Sequence, residues 1–261
     1  MSSPKSSLLY ERYELKYHIP FYLIEEISDY ISGFCELDHY SLTSPDKFYT
    51  INNLYLDTPT HLFFRMRQAG MDERFNMRIR TYGDEEMKLW FFEVKHKTRG
   101  FVRKTRAKIT DPVWFNYLKE GTWPETNWAL ARTDYAHQFI SRALSYQAAP
   151  VVFTQYRRKA YFSTIDDYAR VTFDINLRYV GRNQYTFERQ GLRGYDHQAY
   201  FAPYTDVVLE LKCEAKAPWW MLDLIRRFNL QRANFSKFAF AVNESMHERL
   251  QIDRYFMRAP A

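Results

Sequence analysis

The stretch FFEVKHK, residues 91–97, has one apolar side and one charged side if it is extended. Successive residues of a β-strand point to opposite faces, so residues i and i+2 share a face. Phe92 and Val94 therefore lie on one face, and Glu93 and Lys95 lie on the other. The stretch predicts a strand that packs on a core with one face and carries full charges on the other.

The same alternation recurs along the chain. Four further segments show it clearly: RYELKYHI (12–19), RFNMRIR (74–80), RVTFDINL (170–177) and VVLELKCEA (207–215). Two segments show it less regularly: FVRKTRAKI (101–109) and FTQYRRKAYF (153–162). For any single strand of this kind, the ordinary explanation is an antiparallel sheet with one face on the core and one face in water.

Two features favour a shared site over a solvated surface. Strands favour Thr over Lys and Glu, whereas Arg, Lys and Glu dominate these charged faces. In addition, the tripeptide Glu-Leu-Lys or Glu-Val-Lys occurs three times, at 14–16, 93–95 and 210–212. If the sheet curls into a barrel, these faces converge on its lumen, where the bases bind a polyanion and the carboxylates hold a divalent ion.

Helical periodicity and helix-end signals predict five helices between the strands. They fall within PFYLIEEISDYISGF (20–34), PTHLFFRMRQAG (59–70), NWALARTDYAHQFISRALSY (127–146), APWWMLDLIRRFN (217–229) and FSKFAFAVNESMHERL (235–250). The segment 181–203 contains three glycines and has no steady period. It predicts a long connection between strands.

Length and composition fit a single domain over residues 1–261, since 46% hydrophobic residues suffice for a sizeable core. The net charge of +6 suits an anionic partner and falls short of the excess of a dedicated nucleic-acid-binding domain. Two cysteines make no disulfide framework, and no signal peptide or long apolar run is apparent. We expect a cytoplasmic protein with no membrane segment of its own, for which docking to a membrane protein stays open.

Several common chemistries lack their motifs. The chain contains no G-x-G-x-x-G, no G-x-x-x-x-G-K-[ST], no G-x-S-x-G and no H-E-x-x-H. The seven histidines have no ligand spacing, which argues against a zinc site of His and Cys. Carboxylate oxygens with Mg²⁺ or Mn²⁺ are the metal chemistry that the sequence favours.

Eight motifs in order carry a family resemblance: YELKY, NNLYLDTP, MRIRTYG, FFEVKHK, QYRRKAYF, ARVTFDINL, LELK and NFSKFAFAV. Over about residues 9–250 the chain resembles the VTC domain, the polyphosphate-polymerase branch of the CYTH-like triphosphate tunnel metalloenzymes. The resemblance implies an α+β fold, with an antiparallel β-barrel that forms a tunnel and helices packed around it. It also implies transfer of the γ-phosphate of ATP onto a growing polyphosphate chain, with Mn²⁺ or Mg²⁺ as cofactor.

The resemblance also implies roles for individual residues. Ten positions match phosphate- and ATP-binding residues: Lys16, Arg78, Arg80, Lys95, Lys104, Tyr156, Arg158, Arg170, Ser236 and Lys237. Three of them are the predicted catalytic residues: Arg80, Lys95 and Lys237. Glu210 matches the metal-binding glutamate, and Glu14 and Glu93 are further metal candidates, for which an ion pair between strands is the alternative. Arg106 and Lys212 are either lining residues or charge balance for the glutamates.

Ser236 and Lys237 are predicted at the start of the last helix, where free backbone N–H groups and the helix dipole also favour an anion. Two positions depart from the family pattern. Hydrolytic relatives begin Glu-x-Glu-x-Lys, whereas this chain has Arg12 in place of the first glutamate. The family's polymerases often carry Lys where this chain has Asn234, so weaker binding at one tunnel mouth and altered activity are both open.

Two other functions stay open beside the polymerase. One is hydrolysis of a triphosphate or nucleotide in the same tunnel, although Arg12 shifts the balance away from the hydrolase branch. The other is binding of polyphosphate or inositol phosphate without catalysis. Nucleic acid is the least favoured partner, because carboxylates on the same faces as the bases repel a phosphate backbone.

Overall fold

The computed structural model describes residues 13–84, 89–98, 101–121, 134–166, 168–195, 207–214 and 216–257. The strands are β1 (Tyr13–Ile19), β2 (Cys35–Leu37), β3 (Tyr49–Asp57), β4 (Arg74–Tyr82), β5 (Trp90–Thr98), β6 (Phe101–Ile109), β7 (Ala149–Ser163), β8 (Arg170–Gly181), β9 (Arg193–Gly194) and β10 (Val207–Cys213). The helices are α1 (Leu23–Ile31), α2 (His39–Thr43), α3 (Leu62–Gln68), α4 (Trp114–Glu120), α5 (Asp134–Ser145), α6 (Trp219–Arg227) and α7 (Lys237–Met257).

The strands form one antiparallel sheet in the order β1-β10-β8-β7-β3-β4-β5-β6, with β2 added to β7 and β9 added to β8. The path of hydrogen-bonded strands ends at β1 and β6, and no pairing between these two is found in the described residues. The sheet nevertheless curls, as the short distance between side chains of β5 and β1 shows. The Nζ atom of Lys95 on β5 lies 2.7 Å from a carboxylate oxygen of Glu14 on β1. The predicted antiparallel barrel is confirmed as a curled half-barrel with helices around it.

The register places the charged faces side by side on the concave side of the sheet. Lys16 on β1 lies opposite Glu210 on β10, and Glu210 lies opposite Thr172 on β8. On the other side of the half-barrel, Glu93 on β5 lies between Arg78 on β4 and Arg106 on β6. The alternation in the sequence therefore predicted correctly that Lys16, Arg78, Glu93 and Glu210 lie on the same side of the sheet.

Apolar side chains fill two hydrophobic cores that hold the helices to the sheet. In the first, Phe63 of α3 and Phe139 of α5 are buried with Phe92 of β5. In the second, Ile27 of α1 and Trp220 of α6 are buried against β8 and β10. These helices bury one apolar stripe each, and removal of that area from water stabilises the sheet in its curled form.

Five helices, α1, α3, α5, α6 and α7, lie where the sequence predicted them, although residues 127–133 of the predicted α5 segment lie outside the described residues. The short helices α2 and α4 were not predicted. Over 181–203, β8 ends at Gly181 and β9 returns to pair with β8, so part of the predicted connection folds back on the sheet. Residues 196–206 and Arg12 also lie outside the described part of the chain.

Asp57 fixes the start of α3. Its carboxylate accepts hydrogen bonds from the backbone N–H groups of Thr58, Phe63 and Phe64, at 2.7 to 2.9 Å. A carboxylate in this place satisfies donors that the first helical turn leaves unpaired. The motif LDTP thus joins the end of β3 rigidly to α3.

Cys35 and Cys213 are buried free thiols, as the absence of a disulfide framework in the sequence predicted. Burial raises the pKa of Cys35 to about 12. No helix within the described ranges combines the length and the hydropathy that a membrane span requires.

Candidate functional site

A cavity of about 740 Å³ lies on the concave side of the sheet. Among the described residues, ten basic side chains and three acidic ones line it. All ten residues predicted to bind phosphate are among the lining residues: Lys16, Arg78, Arg80, Lys95, Lys104, Tyr156, Arg158, Arg170, Ser236 and Lys237. The structure thus brings these residues together from six strands and the start of α7, while their roles stay predictions.

One wall of the cavity is the Glu93 cluster, formed by Glu93, Arg78, Arg80, Lys104 and Arg106. Arg78 Nε and Arg106 Nε each lie 2.7 Å from a different oxygen of the Glu93 carboxylate. Lys104 Nζ lies 2.5 Å from that carboxylate, and Arg80 Nε lies 3.9 Å from it. Four cations therefore share one anion, and the wall keeps a positive excess.

The pKa values of the Glu93 cluster reflect this excess. Burial disfavours the charged carboxylate of Glu93, but Arg78 and Arg80 outweigh it and hold the pKa of Glu93 well below its ordinary value. Loss of hydration and repulsion from the neighbouring arginines lower the pKa of Lys104 well below its ordinary value, although Glu93 opposes this shift. A bound anion would relieve that repulsion.

Neutral side chains of β3 and β7 orient Arg78 and Arg80 of β4. Arg80 donates to Asn53 Oδ1 at 2.8 Å and to the Tyr156 hydroxyl at 3.1 Å. Arg78 donates to the Tyr55 hydroxyl at 3.2 Å. These bonds leave each guanidinium with further N–H donors, because arginine carries five.

The facing wall is the Glu210 cluster, which comprises the carboxylates of Glu14, Asp174 and Glu210 and the bases Lys16, Lys95, Arg158, Lys212 and Lys237. Arg158 binds Asp174 through two hydrogen bonds of 2.6 and 2.7 Å. Lys237 lies 2.6 Å from Asp174 and 3.1 Å from Glu210. Lys16 lies between Glu14, at 3.2 Å, and Glu210, at 3.5 Å.

Basic neighbours lower the pKa values of all three carboxylates of the Glu210 cluster against the effect of burial. Burial alone would raise the pKa of Glu210, but Lys212 and Lys237 hold it well below its ordinary value. Burial likewise lowers the pKa of Lys237, but Asp174 and Glu210 outweigh that effect and raise it. The carboxylates thus stay ionised in the interior because each has basic partners.

Asp174 belongs to the Glu210 cluster, but it was not singled out from the sequence as a candidate site residue. The alternation in β8 placed it on the charged face with Arg170, but no motif marked it as a site residue. It is fully buried and holds both Arg158 and Lys237. The signal available in the sequence was a carboxylate at a lumen-facing position two residues after Thr172.

The start of α7 lies at the cavity, as predicted. Ser236 Oγ accepts a hydrogen bond from the backbone N–H of Ala239 at 3.3 Å, and Lys237 is the first helical residue. Free N–H groups and the helix dipole favour an anion at this position.

A second cavity of about 420 Å³ adjoins the first and shares Glu14, Lys16 and Lys95 with it. Five polar or charged residues line the second cavity and not the first: Arg67, Arg74, Lys97, Arg232 and Asn234. Asn234 Oδ1 accepts a hydrogen bond of 2.8 Å from Arg67. Burial, followed by repulsion from Arg74, Arg67 and Arg232, lowers the pKa of Lys97, so this end of the cavity is also cationic.

The predicted metal ligands differ in how well they fit a divalent cation. No set of three or more His, Cys, Asp and Glu side chains is placed to hold a metal ion in the described ranges. Mg²⁺ in enzymes commonly takes one or two carboxylates and completes its ligands with substrate phosphates and water. Glu14 and Glu210, which both line the cavity, fit that pattern. Glu93 is 1% exposed beneath four bases and fits the ion-pair alternative better.

Comparison with known proteins gives one matching family. The VTC domain profile matches residues 11–246. The vacuolar transporter chaperone complex subunit 4 of Trypanosoma cruzi (strain CL Brener) is 24% identical over an alignment of 222 residues, and the match covers 74% of this chain and 28% of that protein. The chain therefore spans less than a third of the length of this relative.

Two solved structures show a looser likeness. The PH1819 protein from Pyrococcus horikoshii OT3 gives a TM-score of 0.46 at 11% identity, covering 89% of this chain and 99% of that one. A Bacillus halodurans protein proposed to be an adenylate cyclase gives a TM-score of 0.46 at 12% identity, covering 88% and 96%. With both TM-scores below 0.5, the fold described above rests on its own hydrogen-bonded strands.

Proposed function

The chain belongs to the VTC domain family, and on that basis we propose that it is a phosphotransferase that adds the γ-phosphate of ATP to an inorganic polyphosphate chain. The observation that carries the proposal is the pair of adjoining basic cavities. Along β4, the charged or polar side chains of Arg74, Asn76, Arg78 and Arg80 follow one another through both of them. A row of this kind suits a linear anion with a charge at every repeat.

Phosphoryl transfer needs little covalent chemistry from the protein, because positioning and charge neutralisation supply most of the rate. Arg78, Arg80 and Lys104 are proposed to donate hydrogen bonds to the non-bridging oxygens of the triphosphate. Lys95 and Lys237, on the facing wall, are proposed to hold the acceptor end of the polymer in line. No protein nucleophile is required.

Glu14 and Glu210 are the residues proposed to hold Mn²⁺ or Mg²⁺. When bound, the ion supplies positive charge to phosphate oxygens. Lys16 lies between the two carboxylates, so its ammonium would compete with the ion or share the phosphates with it.

We also propose binding partners on the basis of the family match. ATP and polyphosphate are the proposed ligands, and nucleic acid is not. The T. cruzi relative is by name a subunit of a complex. We propose that this chain too acts in the cytoplasm with partner subunits, among which a membrane protein is one.

The test is incubation of the purified protein with ATP and Mn²⁺, with and without a short polyphosphate primer, and separation of the products by length on a gel. We expect a ladder that lengthens with time. The ladder should be lost with Arg80→Ala and with Lys95→Ala, and kept with Lys119→Ala, which removes an exposed lysine of α4. Loss of one transition-state contact of this type costs about 10²- to 10³-fold in rate.

Two other outcomes would replace the proposal. Release of phosphate without a ladder would identify a triphosphate hydrolase. Tight polyphosphate binding without turnover would identify a binding module.

A further inference from the structure

The two adjoining cavities together form one passage along β4. The two ends of this passage differ in chemistry. Arg74 lines only the smaller cavity, Asn76 lines both, and Arg78, Arg80 and Tyr82 line only the larger one. At the strand rise of about 3.3 Å per residue, Arg74 and Tyr82 lie roughly 26 Å apart. The passage therefore has an arginine end at Arg74 and a tyrosine end at Tyr82.

Three rings form the tyrosine cluster at the second end: Tyr40, Tyr49 and Tyr82, all of which line the larger cavity. Tyr40 and Tyr82 stack with centroids 5.4 Å apart and ring planes 9° apart. Tyr49 lies 5.4 Å from Tyr40. Tyr40 keeps 46% of its surface exposed, although its ring contacts those of Tyr82, Tyr49 and His39.

The helix that carries Tyr40 is anchored on both sides of this residue. Asp38 accepts a hydrogen bond of 2.7 Å from the N–H of Ser41 and another of 3.0 Å from the Tyr49 hydroxyl. Ser41 is fully buried, and its hydroxyl accepts a hydrogen bond of 2.9 Å from the N–H of Ala160 on β7. Tyr40 is thus held in place by its neighbours, while its own ring remains accessible.

The tyrosine cluster adjoins the Glu93 cluster directly. The guanidinium carbons of Arg80 and Arg106 lie 5.9 and 5.7 Å from the centre of the Tyr82 ring. Arg106 also donates a hydrogen bond of 2.5 Å to the Tyr82 hydroxyl. Burial alone would raise the pKa of Tyr82, but Arg80 and Arg106 lower it. A ligand with its phosphates on these arginines would therefore extend its next group over the rings.

The arginine end offers a different surface. Arg67, Arg74, Lys97 and Arg232 add four cations there, and Glu14 is the single acidic side chain among the lining residues. Aromatic rings also line this cavity, but Phe63, Phe75, Phe235 and Phe238 pack in or against the hydrophobic core, and Tyr13 lines both cavities. The four cations suit repeated phosphates, because each phosphate needs a cation and none needs an aromatic face. A nucleobase instead gains from stacking on an aromatic ring.

We propose that the tyrosine cluster binds the nucleoside of the triphosphate donor, with the base stacked on Tyr40. The inference rests on the proposed use of ATP, and it also assigns the orientation of ATP in the passage. The nucleotide enters at the tyrosine end, its phosphates lie on the Glu93 cluster, and the polymer occupies the arginine end.

The test compares ATP with inorganic tripolyphosphate, which has the phosphates without the nucleoside. Affinities of both are measured by calorimetry in Mg²⁺ buffer for the wild type, Tyr40→Ala, Tyr40→Phe and Tyr22→Ala. Tyr22 is an exposed tyrosine, 67% accessible, just before α1 and outside the lining of the larger cavity. We expect Tyr40→Ala to weaken ATP binding about tenfold, the effect of one stacked base, and to leave tripolyphosphate binding within about twofold. Tyr40→Phe keeps the ring and should keep ATP binding, as should Tyr22→Ala.

Three results would overturn the inference. If Tyr40→Ala binds ATP as the wild type does, the base is not on this ring. If Tyr40→Ala weakens the binding of ATP and of tripolyphosphate equally, Tyr40 maintains the shape of the cavity and does not bind the base. If the wild type binds tripolyphosphate but not ATP, the nucleotide donor itself is wrong, and the proposed function fails with the inference.

Discussion

The Glu93 cluster and the Glu210 cluster face each other across the same cavity, but they balance their charges differently. The first sets four bases around one carboxylate, whereas the second sets five bases around three carboxylates. A wall with excess cations is ready for phosphate oxygens, since a bound anion completes its charge balance. A wall rich in carboxylates can also bind a cation. The proposed phosphoryl transfer needs both kinds of charge, and the cavity offers them on two facing walls.

Replacement of Glu93 by Gln should have the largest effect on stability, because it leaves four bases without their shared anion. We expect a loss of about 3 kcal/mol in the free energy of unfolding, measured by urea denaturation without phosphate. Tripolyphosphate should restore much of that loss, because it can take the place of the carboxylate. Glu25→Gln, which removes an exposed partner of Lys159, should cost less than about 1 kcal/mol. If Glu93→Gln lowers the free energy of unfolding by an equally small amount, the four bases do not depend on Glu93 for their stability in the folded protein.

Replacement of Glu210 by Gln should weaken the binding of the metal ion. We expect Glu210→Gln to lower metal-dependent turnover by about 100-fold and to weaken Mn²⁺ binding measured by electron paramagnetic resonance with tripolyphosphate present. Glu93→Gln, measured in the same way, should leave Mn²⁺ binding unchanged. Equal loss of Mn²⁺ from both variants would remove the distinction between the two walls.

The lowered pKa of Lys104 gives a test by pH. Below that pKa Lys104 is charged and attracts phosphate, and as the pH rises through it the free protein loses this charge. Triphosphate affinity should therefore fall by a few fold as the pH rises, at values below the ordinary titration range of lysine, and binding should take up protons. Lys104→Arg should flatten this profile, because arginine stays charged. Calorimetry in buffers of different ionisation enthalpy measures the proton uptake, and an unchanged profile in Lys104→Arg would assign the dependence to another group.

Asn234 extends the comparison to the arginine end and should have the smallest effect. Asn234→Lys adds a cation beside Arg67 and should tighten polyphosphate binding about two- to fivefold at low salt. The gain should disappear near 0.5 M salt, where screening is strong. Asn183→Lys adds the same charge beside a different cavity and serves as the control. A gain that is the same for both variants would reflect net charge alone.

Much of the site was predictable because strand alternation is local. Glu93 and Lys95, or Glu210 and Lys212, share a face in any extended chain, whatever lies beside them. Helix positions were predictable for a similar reason, since an apolar stripe such as that of α1 is written in a few consecutive turns. The five-residue helix α2 was missed, because it shows less than two turns of periodicity and is held by Asp38 and Ser41.

The role of Asp174 was not predictable, because its partners Arg158 and Lys237 are 16 and 63 positions away along the chain, on another strand and on a helix. The difference between Glu93 and Glu14 was hidden for the same reason. Both occur in the same kind of tripeptide, yet only the neighbouring strands decide that one is surrounded by four bases and the other faces the cavity.

The sequence by itself determined which side chains share a face, where five of the helices lie and that the charged face is basic. Only the tertiary structure decided how that face is divided into two walls and two ends. Alternation depends on the geometry of one strand, whereas cross-strand neighbours depend on register and sheet curl. These follow from hydrogen bonds between distant segments and from the cores packed behind them.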